Sequence, residues 1–563
     1  MALKSGGQYL AEAFDAYGVH AVFLVPTILS RTLVEMEERT AIKRIVTHGE
    51  KAAVYMADGY ARATGKVGVC FSQNIGASNL AAGLRDPFLG GSPVLAITGG
   101  PFQYSRGRHY YQEIVDLPQF RNLTKWSESV PDVERLPDML DTAFRIATAG
   151  MPGPVHLEFE GHAGKQLDTA EFDAPEIVAG TRCVPAVRTA IEPGALADAV
   201  ARLRAARRPV IVAGGGVRWS GAGSELLAVA EALGAPVATS MNAKDVFPAL
   251  HPLAVGVPGL YSRPSANQAL LEADLVLYVG SQTGSQVTLM WSVPELSTPV
   301  IHLDIDPTRP GRHFKDSVAL VADAKVGLSQ LAAELRRDAG DSRDEWAARA
   351  AQLVERWRSE VADHVTADAV PMRPERLMAE LTDCLPHDAI VVTDTGHSGM
   401  WTGGYLDLLH PGQSYLRAAG SLGWGLPAAI GAQIGQPERP VVLVTGDGGL
   451  WYHIGELETA ARWNIPLVVV VNNNKALNQE IHNYTLAYGG ELHGRHHELW
   501  HFHDVSLAGV ANAMGVLGIT VEKAADLPSA IDRALSTNGP VLVEALTDIE
   551  ALAPPGSAAR APR

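Results

Sequence analysis

Val441-Val442-Leu443-Val444-Thr445-Gly446-Asp447-Gly448-Gly449, followed at a distance by Pro466-Leu467-Val468-Val469-Val470-Val471-Asn472-Asn473-Asn474-Lys475-Ala476, decides the fold. The two β-branched runs read as buried parallel strands. Between them Ile454, Leu457 and Ala461 recur at helical spacing. A strand–helix–strand unit with a right-handed crossover brings both strand ends to one edge of a sheet. Asp447 and Asn474 are therefore expected to face one another across a small gap.

A carboxylate with carbonyl oxygens is hard-ligand chemistry, suited to a magnesium or calcium ion that also holds a phosphate-bearing ligand. The glycines around Asp447 let backbone approach such a ligand closely. A lone Gly-Asp-Gly would be better read as the glycine turn of an ordinary doubly wound crossover, so its spacing and companions along the chain have to decide.

With 563 residues the chain is too long for one core. Hydrophobic residues at 47% and charged residues at 19% describe a soluble globular protein. The formal net charge of −16 argues against nucleic acid and does not favour an anionic membrane surface. Cys70, Cys183 and Cys384 are far apart and odd in number, which implies no disulfide framework and fits a reducing cytoplasm. No apolar run approaches a membrane span, and Met1-Ala-Leu-Lys leads directly into a helical pattern.

Three α/β units are expected, each a doubly wound parallel sheet. The first covers 1–165, with strands at 21–25, 67–71, 93–97 and 154–159. A Pro/Thr/Gly-containing linker leads to a central unit at 190–335, whose strands run into Gly214-Gly215-Gly216, Gly280-Ser281 and Asp304-Ile305-Asp306. The glycine triplet is a weak dinucleotide signal on its own. Residues 336–361 read as a solvated connecting helix. The third unit covers 372–549, and 550–563 is a Pro/Ala/Gly-rich tail, mobile unless something docks it.

GDGG followed at this spacing by NNN resembles the signature of thiamine-diphosphate (ThDP) enzymes of the acetolactate synthase-like group, among them 2-hydroxyacyl-CoA lyase and oxalyl-CoA decarboxylase. The resemblance extends in order over most of the chain and implies pyrimidine-binding, central and diphosphate-binding domains. It implies that Asp447, Asn474 and the carbonyl of Ala476 bind Mg2+, with Asn472 at a usually apolar position. Val46-Thr47-His48-Gly49-Glu50 and the helix after it resemble the pyrimidine-domain helix, which makes Glu50 the carboxyl group that hydrogen-bonds the aminopyrimidine ring and relays its proton. Tyr110-Tyr111-Gln112-Glu113 matches an element whose Gln projects into the site, so Gln112 is a second catalytic candidate. Gly396, His397 and Ser398 resemble the strand end that meets the diphosphate, with Gly446, Asp447, Gly448 and Gly449 around it. Leu422, in Gly420-Ser421-Leu422-Gly423-Trp424-Gly425, holds the place of the residue wedged beneath the cofactor. Two departures lie nearby: Gly49 stands where relatives commonly have His, and Ser72-Gln73-Asn74-Ile75-Gly76 replaces a Gly-Pro-Gly turn.

The resemblance also implies a homodimer or homotetramer, because the cofactor bridges domains of two subunits. For the reaction it points to a lyase cleaving a 2-hydroxyacyl-CoA to formyl-CoA and an aldehyde or ketone, with an acetolactate synthase-like carboligase or 2-oxoacid decarboxylase as the alternative. The lyase is preferred because Met400, Trp401, Trp451 and Tyr452 are bulky and no Arg/Lys pair stands beside them to clamp a free carboxylate. The stretch after Gly280 lacks the Arg of FAD-holding relatives, so ADP or CoA is expected in the central unit and FAD is not.

Overall fold

The computed structural model describes residues 2–180, 182–261, 263–337, 343–554 and 556. Three six-stranded sheets carry the chain, and every strand pairing within them is parallel. Their strands lie at 21–159, 209–321 and 390–546. Numbered by chain order within each sheet, the first and third both run 2-1-3-4-6-5, while the central sheet runs 3-2-1-4-5-6. The outer units thus share one topology, and the middle one has the arrangement common among dinucleotide-binding sheets. The three doubly wound units expected from the sequence are present.

The strands are short continuous apolar runs because helices cover both faces of each sheet. Val441–Gly446 and Leu467–Asn473 sit side by side, with Gly446 opposite Asn472. Glu171–Ala174, inside the expected linker, instead pairs antiparallel with Ala2–Ser5. The helix Asp344–Val365 is less solvated than its charges suggest, for Trp346, Ala350, Leu353 and Trp357 are buried along one face. The start of the tail is docked: Ala551 and Ala553 are buried, and Gly556 N–H donates to Leu260 of the central unit at 2.8 Å. Arg560 and Arg563, near the end of the tail, lie outside the described residues.

The first and third units meet through the helices Glu50–Thr64 and Gly425–Gly435, which approach at backbone distance. A Cβ on Gly59 would lie 2.0 Å from the Ala428 carbonyl oxygen, and one on Gly431 would lie 1.9 Å from that of Met56. Beside this contact Arg62 is buried between Asp58 (2.6 Å) and Asp86 (2.9 Å), and Trp424 donates its indole N–H to Asp58 at 2.8 Å. Removing one partner from such a buried set typically costs about 3–5 kcal/mol.

Gly59→Ala is accordingly expected to destabilise the protein by about 2 kcal/mol or more, because the obstructing atom is backbone. Gly404→Ala, where an added methyl meets nothing within 4 Å, serves as control and should leave the thermal midpoint unchanged or slightly higher. Equal midpoints for Gly59→Ala and wild type would refute the close approach.

Candidate active site

The third sheet changes winding direction between the strands Ile390–Thr393 and Val441–Gly446, and loops leaving such neighbours diverge to open a crevice. A cavity of about 410 Å³ lies there. Its walls include Gly396, His397, Ser398, Leu422, Gly446, Asp447, Gly448, Gly449, Asn474 and Ala476, so every residue expected to bind cofactor in this unit is brought to one place. His397 Nδ1 lies 2.7 Å from Asn478 Oδ1, and burial lowers the pKa of the imidazole.

Strand alternation separates the three asparagines. Asn473 points away from the cavity and donates to Glu544 at 2.7 Å, whereas Asn472 and Asn474 share the cavity face. Asp447 is 3% exposed, and its Oδ2 has no partner among the described residues; the same holds for Asn472 Oδ1. Burial pushes the Asp447 carboxyl up to about 7, although backbone N–H groups of Gly448 and Ala476 pull it down. Buried oxygens left without donors, in a cavity walled by glycine, fit a divalent cation with hard oxygen ligands. They equally fit a diphosphate beside it. Asn472 was assigned no role from sequence, yet its place two residues before Asn474 puts it on the same strand face.

Leu422 sits on a turn held from two sides. Asp86 of the first unit accepts from the N–H groups of Ala419 (2.9 Å) and Ser421 (3.0 Å). Asp394 of the third accepts from Gly423 (3.0 Å) and Gly425 (2.8 Å), as well as from Thr395 (2.8 Å). Both carboxyl groups are buried, and burial raises Asp394 to about 6 against the pull of those backbone bonds. The turn therefore presents Leu422 in a defined position.

Glu50 and Gln112 line neither large cavity of their own chain. Glu50 begins its helix, accepts from Asn79 Nδ2 at 3.1 Å, and lies so close to Gly76 that a Cβ there would come 2.4 Å from its Oε1. Gln112 has a positive φ of 63° and a buried Oε1 without a partner among the described residues. His48, displaced from the usual position by Gly49, faces Glu456 and Thr459 of the third unit. Of the four bulky residues expected beside the site, none lines either large cavity, and Trp401 is 1% exposed within the core of the third unit.

A second cavity, about 520 Å³, opens where the central sheet changes direction. Gly214 and Gly216 abut Gly280 there, so side chains on those glycines would close it. Asp304 and Asp323 contribute to the wall. Two guanidiniums that no motif assigned to this crevice also reach it: Arg309, held by Asp306 at 3.0 Å, and Arg417. The volume is in the range of small-molecule and nucleotide sites. An arginine is thus supplied from beyond the stretch in which its absence spoke against FAD.

Three family profiles match the chain: the thiamine pyrophosphate enzyme N-terminal TPP binding domain at residues 4–120, its central domain at 196–331 and its C-terminal TPP binding domain at 394–545. A protein named "Probable acetolactate synthase large subunit" in Methanocaldococcus jannaschii is 31% identical over 98% of this chain and 94% of its own length. The acetolactate synthase isozyme 2 large subunit of Escherichia coli K12 is 30% identical over 98% of each chain. The isozyme 3 large subunit of the same organism is 29% identical over 95% and 93%.

Asp394→Asn retains the shape but turns an amide N–H2 toward one of the backbone donors. The cost expected for a buried donor left unsatisfied is about 1–3 kcal/mol. Thermal denaturation should show the loss, and ThDP affinity measured by calorimetry should fall with it, because Leu422 is no longer held. Wild-type values for both would mean that Asp394 does not position the turn.

Proposed function

This chain belongs to the thiamine-diphosphate-dependent enzymes of the acetolactate synthase-like group, and we propose that it makes or breaks the carbon–carbon bond beside the carbonyl of a 2-oxo acid, as carboligase or decarboxylase. The observation that carries the cofactor reading is the unpartnered, buried Asp447 Oδ2 on the same cavity face as Asn474. The acetolactate synthases among its relatives favour a small 2-oxo acid over the CoA thioester suggested by the motifs alone.

In this reading Asp447, Asn474 and the Ala476 carbonyl would hold Mg2+, and the backbone of Gly446–Gly449, with Ser398 and His397, would receive the diphosphate oxygens. Bound ThDP supplies a ring carbon able to stabilise negative charge on the attached substrate carbon. Leu422, presented on its clamped turn, would pack against the bound cofactor and hold it in place. Glu50 would hold a proton at the aminopyrimidine nitrogen, and Gln112 would orient substrate oxygen. Because Glu50 and Gln112 line neither large cavity of their own chain, a homodimer or homotetramer is proposed, in which a second copy supplies them.

A second reading, cleavage of a 2-hydroxyacyl-CoA to formyl-CoA and a carbonyl compound, is favoured by one observation. The two large cavities share Tyr261, Gln286, Arg417 and Ala419, so a long ligand could span both. In either reading the central crevice is the proposed place for a nucleotide, as ADP, FAD or part of CoA. Among the described residues no helix is long and apolar enough to cross a membrane, and a cytoplasmic location is proposed.

Glu50→Gln is expected to lower turnover by about two decades, the scale of general acid–base groups, while ThDP affinity stays near wild type. Near-normal turnover would remove Glu50 from the mechanism. Asp447→Ala should weaken Mg2+-dependent ThDP binding tenfold or more, and an unchanged titration would place the metal elsewhere. The purified enzyme is expected to consume pyruvate and release CO2 together with either acetolactate (from two pyruvates) or acetaldehyde (from one). Turnover of 2-hydroxyacyl-CoA with pyruvate untouched would reverse the order of the two readings, and a yellow preparation would establish FAD in the crevice.

A further inference from the structure

The strand Ser414–Arg417 is an edge strand of the third sheet, and its last residue stands at the boundary between the two large cavities. Arg417 is 8% exposed. Its carbonyl accepts from Arg62 at 2.6 Å, but its guanidinium makes no ion pair and donates no hydrogen bond among the described residues, and its Nε is buried without a partner. The Tyr261 ring lies 5.6 Å from the guanidinium carbon, and Tyr261, like Arg417, lines both cavities.

Neighbouring carboxylates do not pair with it. Asp86 is taken by Arg62 and by the N–H groups of Ala419 and Ser421. Asp245 Oδ2 is taken by Arg218 and the N–H of Tyr415, and its Oδ1, buried and unpartnered among the described residues, makes no ion pair or hydrogen bond with Arg417. Arginine does not escape burial by losing its proton, so the charge persists. A buried charge without a counter-ion is costly, and the aromatic face opposite it supplies only part of the compensation. The remaining donors form a planar fork, matched in shape to two oxygens of a carboxylate or phosphate.

We infer that Arg417 is an oxyanion-binding residue at the junction of the two cavities, recognising a carboxylate or phosphate carried by a ligand that enters from either side. The Tyr261 ring, 5.6 Å from the guanidinium carbon, lies against it, and the cavities leave its terminal donors open to the ligand. The ligand group has three sources: the carboxylate of a small acid in the third-unit cavity, a phosphate of a nucleotide in the central crevice, or the cofactor diphosphate. All three present the same pair of oxygens to the same donors.

The experiment compares wild type, Arg417→Met and Arg417→Lys by calorimetry. The protein is titrated with ThDP and Mg2+, and the loaded protein is then titrated separately with ADP and with oxalate. Affinity for at least one probe is expected to fall tenfold or more in Arg417→Met, with partial recovery in Arg417→Lys, which keeps the charge without the fork. The probe affected identifies the source. Without ligand, Arg417→Met should melt at or above wild type, because it removes an uncompensated charge. Equal affinities for all three probes across the three proteins would overturn the inference, as would a ligand-free Met variant melting well below wild type, the mark of a structural prop. No readout involves turnover, so failure of the proposed reaction leaves this test intact.

Discussion

Two buried carboxylates, Asp86 and Asp394, hold alternate N–H groups along the turn that carries Leu422, and they come from different units of the chain. A turn of this kind exposes backbone donors that no strand or helix satisfies, and burying them without acceptors would be prohibitive. Meeting that demand from both sides makes the turn rigid. It also makes the orientation of the first unit against the third a condition for the shape of the cavity. Arg62 neutralises Asp86 while bonding to the Arg417 carbonyl, so the electrostatics of the interface and the edge of the site belong to one network.

The shared 2-1-3-4-6-5 order of the outer sheets gives this arrangement a geometric reason. A sheet that reverses its winding opens a crevice at the carboxyl ends of the two strands flanking the reversal. The third unit uses that crevice for Asp447 and its neighbours. The central unit reverses at a different point, between Pro209–Ala213 and Leu275–Val279, where glycines on both sides touch. Two cavities built by the same rule then lie side by side because the central sheet packs against the third unit through Tyr261 and Arg263, the latter paired with Asp407.

What could be read from the sequence was whatever local pattern determines. Continuous β-branched runs, glycines after strands and the spacing of Asp447 and Asn474 are local, and they led to three parallel sheets and to a set of cavity residues that the fold does assemble. Features set by tertiary partners were not legible. Glu171–Ala174 is a strand only because the chain's start lies beside it, and the Asp344–Val365 helix is docked by apolar residues scattered among charges. Asp86 is an unremarkable helix residue until Arg62 and the turn beyond Ala418 surround it. Arg309 and Arg417 reach their cavities from outside any motif, so spacing arguments about a missing arginine could not find them.

The polar side chains around the site fall into two groups, and the division is energetic. Asp86, Asp394 and Glu544 are buried and have backbone or side-chain donors for their oxygens; Glu544 takes Asn473 and the N–H groups of Leu507 and Ala508. These act as internal braces, and any change in their protonation or length is felt as lost stability. Asp447 Oδ2, Asn472 Oδ1 and Arg417 Nε are as deeply buried but lack partners among the described residues, and all three residues line the same cavity. A fold selected for stability alone would satisfy or remove such groups. Acceptors beside Asp447 call for a cation, and the donors of Arg417 call for an anion. Opposite demands within one cavity suit the metal–phosphate pair and the acidic substrate proposed for it, and the unsatisfied atoms, more than the satisfied ones, carry that proposal.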